Sequence, residues 1–187
     1  MSRDLYTRLR CKTVYQNPWL AVEVHEVVHP SGAPGEHAVL VTPQSSAVVV
    51  ADGNKLIFAR QPRFAARRAV VEIVKGGGKP GEAPLDSAKR ELREELGITA
   101  GRWRELGMLH EIPSIVEPPV ALFLARDLAY GTPEPGEEEN IDLVTLTIDE
   151  AVRAALGGKI DDAVTVAALF RFAAAYGYVS WPADSGS

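Results

Sequence analysis

Residues 76–98 of the chain read GGGKPGEAPLDSAKRELREELGI. Pro84 suits the first turn of a helix, and Gly97 stands where a left-handed C-terminal cap belongs. Between them, apolar residues recur at helical spacing, at Leu85, Ala88, Leu92 and Leu96. The pattern predicts a short helix with one face packed on a core.

The same helix carries three glutamates, Glu91, Glu94 and Glu95, within little more than one turn. Like charges at this spacing destabilise a helix by roughly 0.2–0.5 kcal/mol per pair. One interpretation is a solvated helix whose neighbouring lysine and arginines pair with the glutamates. The three glycines before the helix favour a second interpretation, because glycine is costly unless the backbone must approach a ligand closely. We therefore expect these glutamates to be functional.

The spacing around the glutamates is specific. Gly76 is followed after five residues by Glu82 and, after seven more, by RELREELGI. This fits the pattern G-x5-E-x7-R-E-U-x-E-E-x-G-U, where U is a bulky aliphatic residue. The chain thus resembles the Nudix hydrolase superfamily, whose members hydrolyse a nucleoside diphosphate linked to another moiety.

The resemblance implies roles for the residues of this motif. Glu91 and Glu95 would be the main metal ligands, and Glu94 would assist catalysis. Arg90 would pair with a glutamate to hold the helix geometry. Glu82 would either lie behind the metal ligands or bind a further ion, and a backbone carbonyl near Lys75 would complete the coordination. Carboxylate oxygens are the ligands that Mg²⁺ prefers, so Mg²⁺ is the expected cofactor, with Mn²⁺ as its substitute.

Similarity to the ADP-ribose pyrophosphatase branch of this family extends over most of the chain. ARQPR at 59–63 is similar to the Arg-Gln-x-Arg end of a strand in that branch, and Pro113 stands sixteen residues after Gly97. Lys75 before Gly76 is similar to the ADP-compound hydrolases. The substrate contacts that the resemblance implies are Arg60, Arg63, Glu72, Gly76, Gly77, Pro113 and Glu117.

An acidic segment, GEEENIDLV at 136–144, is similar to a loop that supplies a catalytic base and another metal ligand in that branch. By this resemblance Glu137 is the base and Glu139 the ligand, while Glu138 points to solvent. Pro and Gly interrupt the overlapping stretch TPEPGEEEN at 132–140, as is typical of a loop.

Strands outnumber helices and do not alternate with them, which predicts an α+β protein. The resemblance implies the Nudix fold, a mixed sheet sandwiched between helices. We expect a small antiparallel sheet subdomain over residues 1–43, a catalytic domain over 44–180 and a flexible tail over 181–187. Strands are predicted at 20–29, 36–42, 69–74, 103–112, 119–128 and 141–148, and a hairpin of two strands that turns at Asp52-Gly53 is predicted over 45–63. Further helices are predicted around 149–157 and 161–177.

The composition limits the classes of partner that we expect the protein to bind. The 187-residue chain has a net charge of −5, which argues against a nucleic-acid or anionic-membrane surface. Its single cysteine, Cys11, allows no internal disulfide and is interpreted as inert. No apolar run has the length of a signal peptide core or a membrane span, so we expect a cytoplasmic protein. Because the N-terminal sheet is too small to be stable alone, we also expect a homodimer.

Two alternatives to ADP-ribose hydrolysis stay open. The enzyme could prefer another substrate, such as GDP-mannose, NADH or diadenosine polyphosphates. A non-catalytic nucleotide-sensing module is disfavoured, because Glu91, Glu94 and Glu95 are all present.

Overall fold

A computed structural model describes residues 5–134, 136 and 140–177. The strands of this part of the chain are β1 (Thr7–Gln16), β2 (Ala21–Val28), β3 (Pro34–Val41), β4 (Ser45–Asp52), β5 (Lys55–Arg63), β6 (Arg68–Glu72), β7 (Val74–Gly77), β8 (Ile98–Leu109), β9 (Val116–Glu117), β10 (Val120–Tyr130) and β11 (Asp142–Thr147). The helices are α1 (Pro84–Leu96), α2 (Ile148–Leu156) and α3 (Ala163–Ala175).

These strands form two sheets. The smaller sheet has the order β1-β2-β3-β9, in which β1, β2 and β3 are antiparallel and β9 runs parallel to β3. The larger sheet has seven strands, with a central path β11-β5-β4-β10-β8 and with β6 and β7 paired to β5 and β4. β10 runs parallel to β4 and antiparallel to β8, and β11 runs antiparallel to β5, so the larger sheet is mixed.

Both faces of the larger sheet are covered by helices. Successive residues of β4 point to opposite faces: Val48 and Val50 pack with α1, whereas Val49 packs with α2 and α3. This explains why β4 reads as a continuous apolar run, since a strand buried on both faces needs apolar side chains in both directions. The result is a helix–sheet–helix sandwich, which confirms the predicted α+β class.

The ends of α1 agree with the helix predicted from the sequence. Pro84 occupies the first turn, and Gly97 adopts the left-handed conformation with φ of 66°. The N–H of Gly97 donates to the carbonyls of Leu92 and Arg93 and closes the helix. β8 begins at the next residue, so Gly97 is also the turn that returns the chain to the sheet.

Three features differ from the sequence predictions. β1 was not predicted, because all of its residues are exposed and its apolar residues follow no simple period. The single strand predicted at 69–74 is divided into β6 and β7 at Ile73, whose N–H donates to the hydroxyl of Thr165 on α3 instead of to a neighbouring strand. In addition, β9 brings Val116 and Glu117 into the N-terminal sheet, far beyond residue 43 in sequence.

No helix in the described ranges is both long and apolar enough to cross a lipid bilayer.

Gly97 also makes a tight contact that can be tested. A Cβ at this position would lie 2.6 Å from both the carbonyl oxygen of Gly131 and the backbone nitrogen of Pro133, whereas a Cβ at Gly53, with φ of 59°, would have no atom within 4 Å. Gly53→Ala should lower the free energy of unfolding by about 1–2 kcal/mol, the cost of a left-handed L-residue. Gly97→Ala should lower it by about 2–5 kcal/mol, because overpacking adds to that cost.

Urea unfolding of the two variants measures the difference. Equal losses of stability for Gly53→Ala and Gly97→Ala would contradict the contact between Gly97 and the 131–133 segment.

Candidate active site

α1 positions the glutamates by burying its apolar face. Ala88 and Leu92 are fully buried against the larger sheet, and the hydroxyl of Ser46 on β4 donates to that of Ser87 at 3.2 Å. Glu91 and Glu95 are one turn apart, so they share a side of the helix. Glu95 is only 6% exposed, an unusual degree of burial for a carboxylate.

The backbone of Gly76 lies directly against the side chain of Glu91. β7 places Gly76 opposite Ser46 in the sheet, on the side that α1 covers. A Cβ added at residue 76 would lie 2.1 Å from the Cδ of Glu91 and 2.3 Å from its Oε1. Only glycine leaves room for this carboxylate, which gives a steric reason for the first residue of the motif.

Arg90 is the centre of the polar network around α1. Its guanidinium donates to Glu82 through Nε and Nη2, each at 2.9 Å, and to Glu91 and Glu94 through Nη1, at 2.7 and 3.0 Å. Nη2 also donates to the carbonyl of Gly77 at 3.0 Å. One side chain thus connects three glutamates to the glycine loop.

The pairing of Glu82 with Arg90 is bidentate, since both carboxylate oxygens accept from the guanidinium. Oε2 accepts a further hydrogen bond from the N–H of Lys79 at 2.8 Å. These bonds lower the pKa of Glu82 to about 2, with the bonds from Arg90 as the largest cause and the bond from the Lys79 N–H as the next. They also hold Glu82 in place. Its partners raise the pKa of Arg90, with Glu82 as the largest cause, so the guanidinium stays charged.

The charge and the donor atoms of this cluster fit a divalent cation. The guanidinium of Arg90 faces the carboxylates of Glu82, Glu91 and Glu94, Arg93 lies 3.7 Å from Glu94, and Glu95 adds a further carboxylate on the same helix. Carboxylates offer oxygen ligands, which hard cations such as Mg²⁺ prefer over nitrogen or sulfur.

Arg63, Glu72 and Lys75 belong to a second polar cluster. The buried carboxylate of Glu72 accepts from Arg63 Nε at 2.7 Å and pairs with Lys75 Nζ at 3.0 Å. Lys75 also donates to Asp162 at 2.7 Å. Burial acts to lower the pKa of Lys75, but Glu72 and Asp162 outweigh it and raise that pKa.

Asp162, the N-cap of α3, is a residue of this cluster that was not predicted from the sequence. Its Oδ2 accepts from both the N–H and the hydroxyl of Thr165, at 2.9 and 2.6 Å. The signal was an aspartate directly before an apolar run, which is a common start of a helix. The pairing with Lys75, 87 residues away, had no local signal.

The residues that the sequence led us to expect in contact with substrate lie in different parts of the structure. Gly76 and Gly77 lie at the glutamate cluster. Arg63 and Glu72 line a cavity of about 400 Å³ with Lys75 and Asp162. Arg60 is exposed on β5, opposite Asp142.

Pro113 and Glu117 lie elsewhere, in a cavity of about 310 Å³ on the N-terminal sheet. Glu117 accepts a hydrogen bond from Arg8 there. These residues therefore do not form one site within the described part of a single chain.

The predicted base and ligand of the acidic segment, Glu137 and Glu139, lie outside the described residues, as does Glu138. Described residues on either side of 137–139 have defined contacts. The N–H of Glu134 donates to the carbonyl of Glu94 at 2.9 Å, and Ile141 packs on the apolar cluster between the larger sheet and α1. The first contact brings the chain just before the acidic segment to the glutamate helix.

Comparison with known families gives two matches. Residues 41–169 match the NUDIX domain, which covers more than half of the chain. The chain belongs to the Nudix family. The preceding residues, 6–40, match the nucleoside diphosphate sugar hydrolase N-terminal domain. The protein is thus a hydrolase of the Nudix family, whose members use a divalent metal, and its sandwich is the Nudix fold.

Individual relatives are moderately similar to this Nudix protein. An ADP-ribose pyrophosphatase of Bacillus subtilis is 28% identical over 159 residues, covering 83% of this chain and 86% of the relative. An ADP-ribose pyrophosphatase of Mycobacterium tuberculosis is 29% identical over 171 residues, covering 89% and 83%. The crystal structure of an ADP compounds hydrolase superposes with a TM-score of 0.82 at 24% identity, covering 96% of this chain and 100% of the other, which shows a shared fold.

The contact between Gly76 and Glu91 predicts a loss of metal affinity. In Gly76→Ala the new Cβ would displace the carboxylate of Glu91, so we expect Mn²⁺ to bind about tenfold more weakly or worse, as for other residues that orient metal ligands. Isothermal titration calorimetry measures this change. The melting temperature should stay near that of the wild type, because a flexible side chain, not the backbone, must move.

Gly77→Ala is the matched control, since its Cβ would meet nothing closer than Pro43 at 3.5 Å. Equal Mn²⁺ affinities for the two alanine variants would refute the proposed steric role of Gly76.

Proposed function

We propose that this Nudix hydrolase cleaves the pyrophosphate bond of ADP-ribose, or of a related ADP-linked compound, in a Mg²⁺-dependent reaction. Water attacks one phosphorus, the bond from that phosphorus to the bridging oxygen breaks, and ADP-ribose yields AMP and ribose 5-phosphate. The observation that carries the proposal is the Glu91 carboxylate seated against Gly76 and joined through Arg90 to Glu82 and Glu94.

In this proposal each residue of the cluster has a role that its contacts support. Glu91 and Glu95 hold the cation, together with a main-chain carbonyl near Lys75. Arg90 keeps the carboxylates in place, and Glu82 fixes Arg90 through two hydrogen bonds. A bound divalent cation supplies positive charge beside the pyrophosphate oxygens and makes water more acidic.

The acidic segment supplies the base in this proposal. Glu137 takes the proton from the attacking water, Glu139 adds a further carboxylate, and Glu94 orients the reacting groups. Support comes from the hydrogen bond of the Glu134 N–H to the Glu94 carbonyl, which brings the residues just before the segment to α1.

Three observations support the proposed substrate class. Two relatives are named ADP-ribose pyrophosphatase, and the N-terminal residues match a domain of nucleoside diphosphate sugar hydrolases. Cavities of about 310 and 400 Å³ also have the size of small-molecule sites. The larger one is lined by Arg63, Arg68 and Lys75, each of them paired with a carboxylate of Glu72, Asp161 or Asp162. These cationic groups are the ones that a phosphorylated ligand would contact.

We also propose that the enzyme is a homodimer that pairs through residues 1–43. This segment exposes several large apolar side chains, of which Trp19 is 72% exposed and Leu9 58%. Apolar surface of this kind is typical of a subunit contact. Light scattering at micromolar concentration should give twice the mass of the chain, and Leu9→Asp with Trp19→Ser should shift the protein toward the monomer. A monomeric wild type would contradict this proposal.

Product release from a substrate panel tests the proposed reaction. We expect AMP from ADP-ribose in the presence of Mg²⁺ and none after chelation, and slower release of products from GDP-mannose, NADH and diadenosine polyphosphates. Glu91→Gln and Glu95→Gln should each lower turnover at least about a hundredfold, because charge stabilisation is the main term in phosphoryl transfer. Glu137→Gln and Glu139→Gln should also cause large losses.

Glu138→Gln is the control for the glutamate variants, since it makes the same chemical change at a position expected to face solvent. Faster turnover of GDP-mannose than of ADP-ribose would replace the substrate assignment. Mild, equal effects of all five substitutions would contradict the catalytic role of the cluster.

A further inference from the structure

A second group of metal-binding side chains lies on the N-terminal sheet. Cys11 on β1 is the register partner of His25 on β2, and Glu23 precedes His25 by two residues. Side chains two residues apart on a strand share a face, so all three lie on one side of the sheet. We call Cys11, Glu23 and His25 the sheet triad.

The ligand atoms of the sheet triad converge. Cys11 Sγ lies 3.2 Å from Glu23 Oε2, His25 Nε2 lies 3.1 Å from the same oxygen, and Sγ and Nε2 are 3.8 Å apart. In a tetrahedral zinc site with ordinary bond lengths, sulfur, nitrogen and oxygen ligands are separated by roughly 3.3–3.6 Å. The three atoms therefore already approximate one face of a zinc coordination tetrahedron.

We propose that the sheet triad binds a borderline divalent transition metal such as Zn²⁺, with Cys11, Glu23 and His25 as ligands. The thiolate and carboxylate would balance the charge of the dication, and imidazole is a neutral ligand. Sulfur and nitrogen donors select such metals, whereas the all-oxygen cluster around Arg90 suits Mg²⁺. This site is separate from the proposed hydrolytic reaction and does not depend on it.

The burial of His25 within the triad supports a partly preformed site. His25 is only 6% exposed, so its ring is held in place by the sheet. Cys11 is exposed, which leaves the fourth coordination position open to water or to another ligand. Three protein ligands with one open position is a recurrent arrangement for zinc.

Metal binding at this place would also fasten β1. That strand is at the edge of its sheet, and every one of its residues is exposed. A metal bound by Cys11 on β1 and by Glu23 and His25 on β2 would connect the two strands. Because a metal that binds only the folded state stabilises it, Zn²⁺ should raise the melting temperature.

Cobalt substitution is the sharpest test, because Co²⁺ bound to a thiolate has a ligand-to-metal charge-transfer absorption. Cys11 is the only cysteine of the chain, so any such absorption must come from this residue. With reduced, metal-free full-length protein we expect the band to saturate at one Co²⁺ per chain and to disappear when Zn²⁺ is added. No charge-transfer band at saturating Co²⁺ would overturn the proposal.

Variants separate the triad from a cysteine that binds metal alone. Cys11→Ser should abolish the band and the rise in melting temperature with Zn²⁺. Glu23→Gln and His25→Ala should each weaken Co²⁺ binding about tenfold or more. Glu26→Gln, an exposed residue on the other face of β2, and His110→Ala, exposed beyond β8, are the matched controls and should bind as the wild type does.

If His25→Ala is unfolded by circular dichroism, Glu23→Gln decides, because Glu23 is partly exposed and its substitution leaves the sheet packing intact. Wild-type Co²⁺ affinity in a folded Glu23→Gln or His25→Ala variant would show that Cys11 binds the metal without the triad, and would refute the site.

Discussion

The guanidinium of Arg90 holds together carboxylates that would otherwise repel one another. It donates to Glu82, Glu91 and Glu94 within 3.0 Å and also to the carbonyl of Gly77. An arginine can do this because its planar fork presents several donors at once and stays charged. Without such a partner, glutamates at this spacing would weaken α1 and splay away from the glycine loop. These hydrogen bonds help to make the acidic cluster compatible with a stable helix.

The glutamate cluster also requires glycines at the two positions where other groups approach the backbone closely. Gly76 lets the carboxylate of Glu91 approach the main chain, and Gly97 lets the segment after β10 pass close to the end of α1. The first contact seats a carboxylate against the glycine loop, and the second brings the residues that precede the acidic segment to the glutamate helix. The motif thus joins charged residues with glycines for a steric reason, since each glycine stands where a side chain would collide.

The two sheets of the molecule carry different chemistry. The larger sheet, covered by helices on both faces, supports an oxygen-rich cluster on a buried and rigid helix. The N-terminal sheet has an exposed first strand, β1, and carries sulfur, imidazole and carboxylate groups on one face. Oxygen ligands suit Mg²⁺, whereas sulfur and nitrogen ligands suit metals such as Zn²⁺, so the two proposed sites would take different classes of metal.

Local chemistry was enough to predict α1, its cap at Gly97, the α+β class and the glutamate cluster, because helical periodicity, capping and motif spacing are properties of neighbouring residues. The exposed strand β1 escaped prediction because it has no buried face to impose a period. The pairs Lys75–Asp162 and Cys11–His25 were also beyond the sequence. Sheet register and helix packing decide such pairs, and they bring together residues whose distance along the chain says nothing about their distance in space. The sequence by itself determined the helix and its charges, while the tertiary structure decided which partners those charges have.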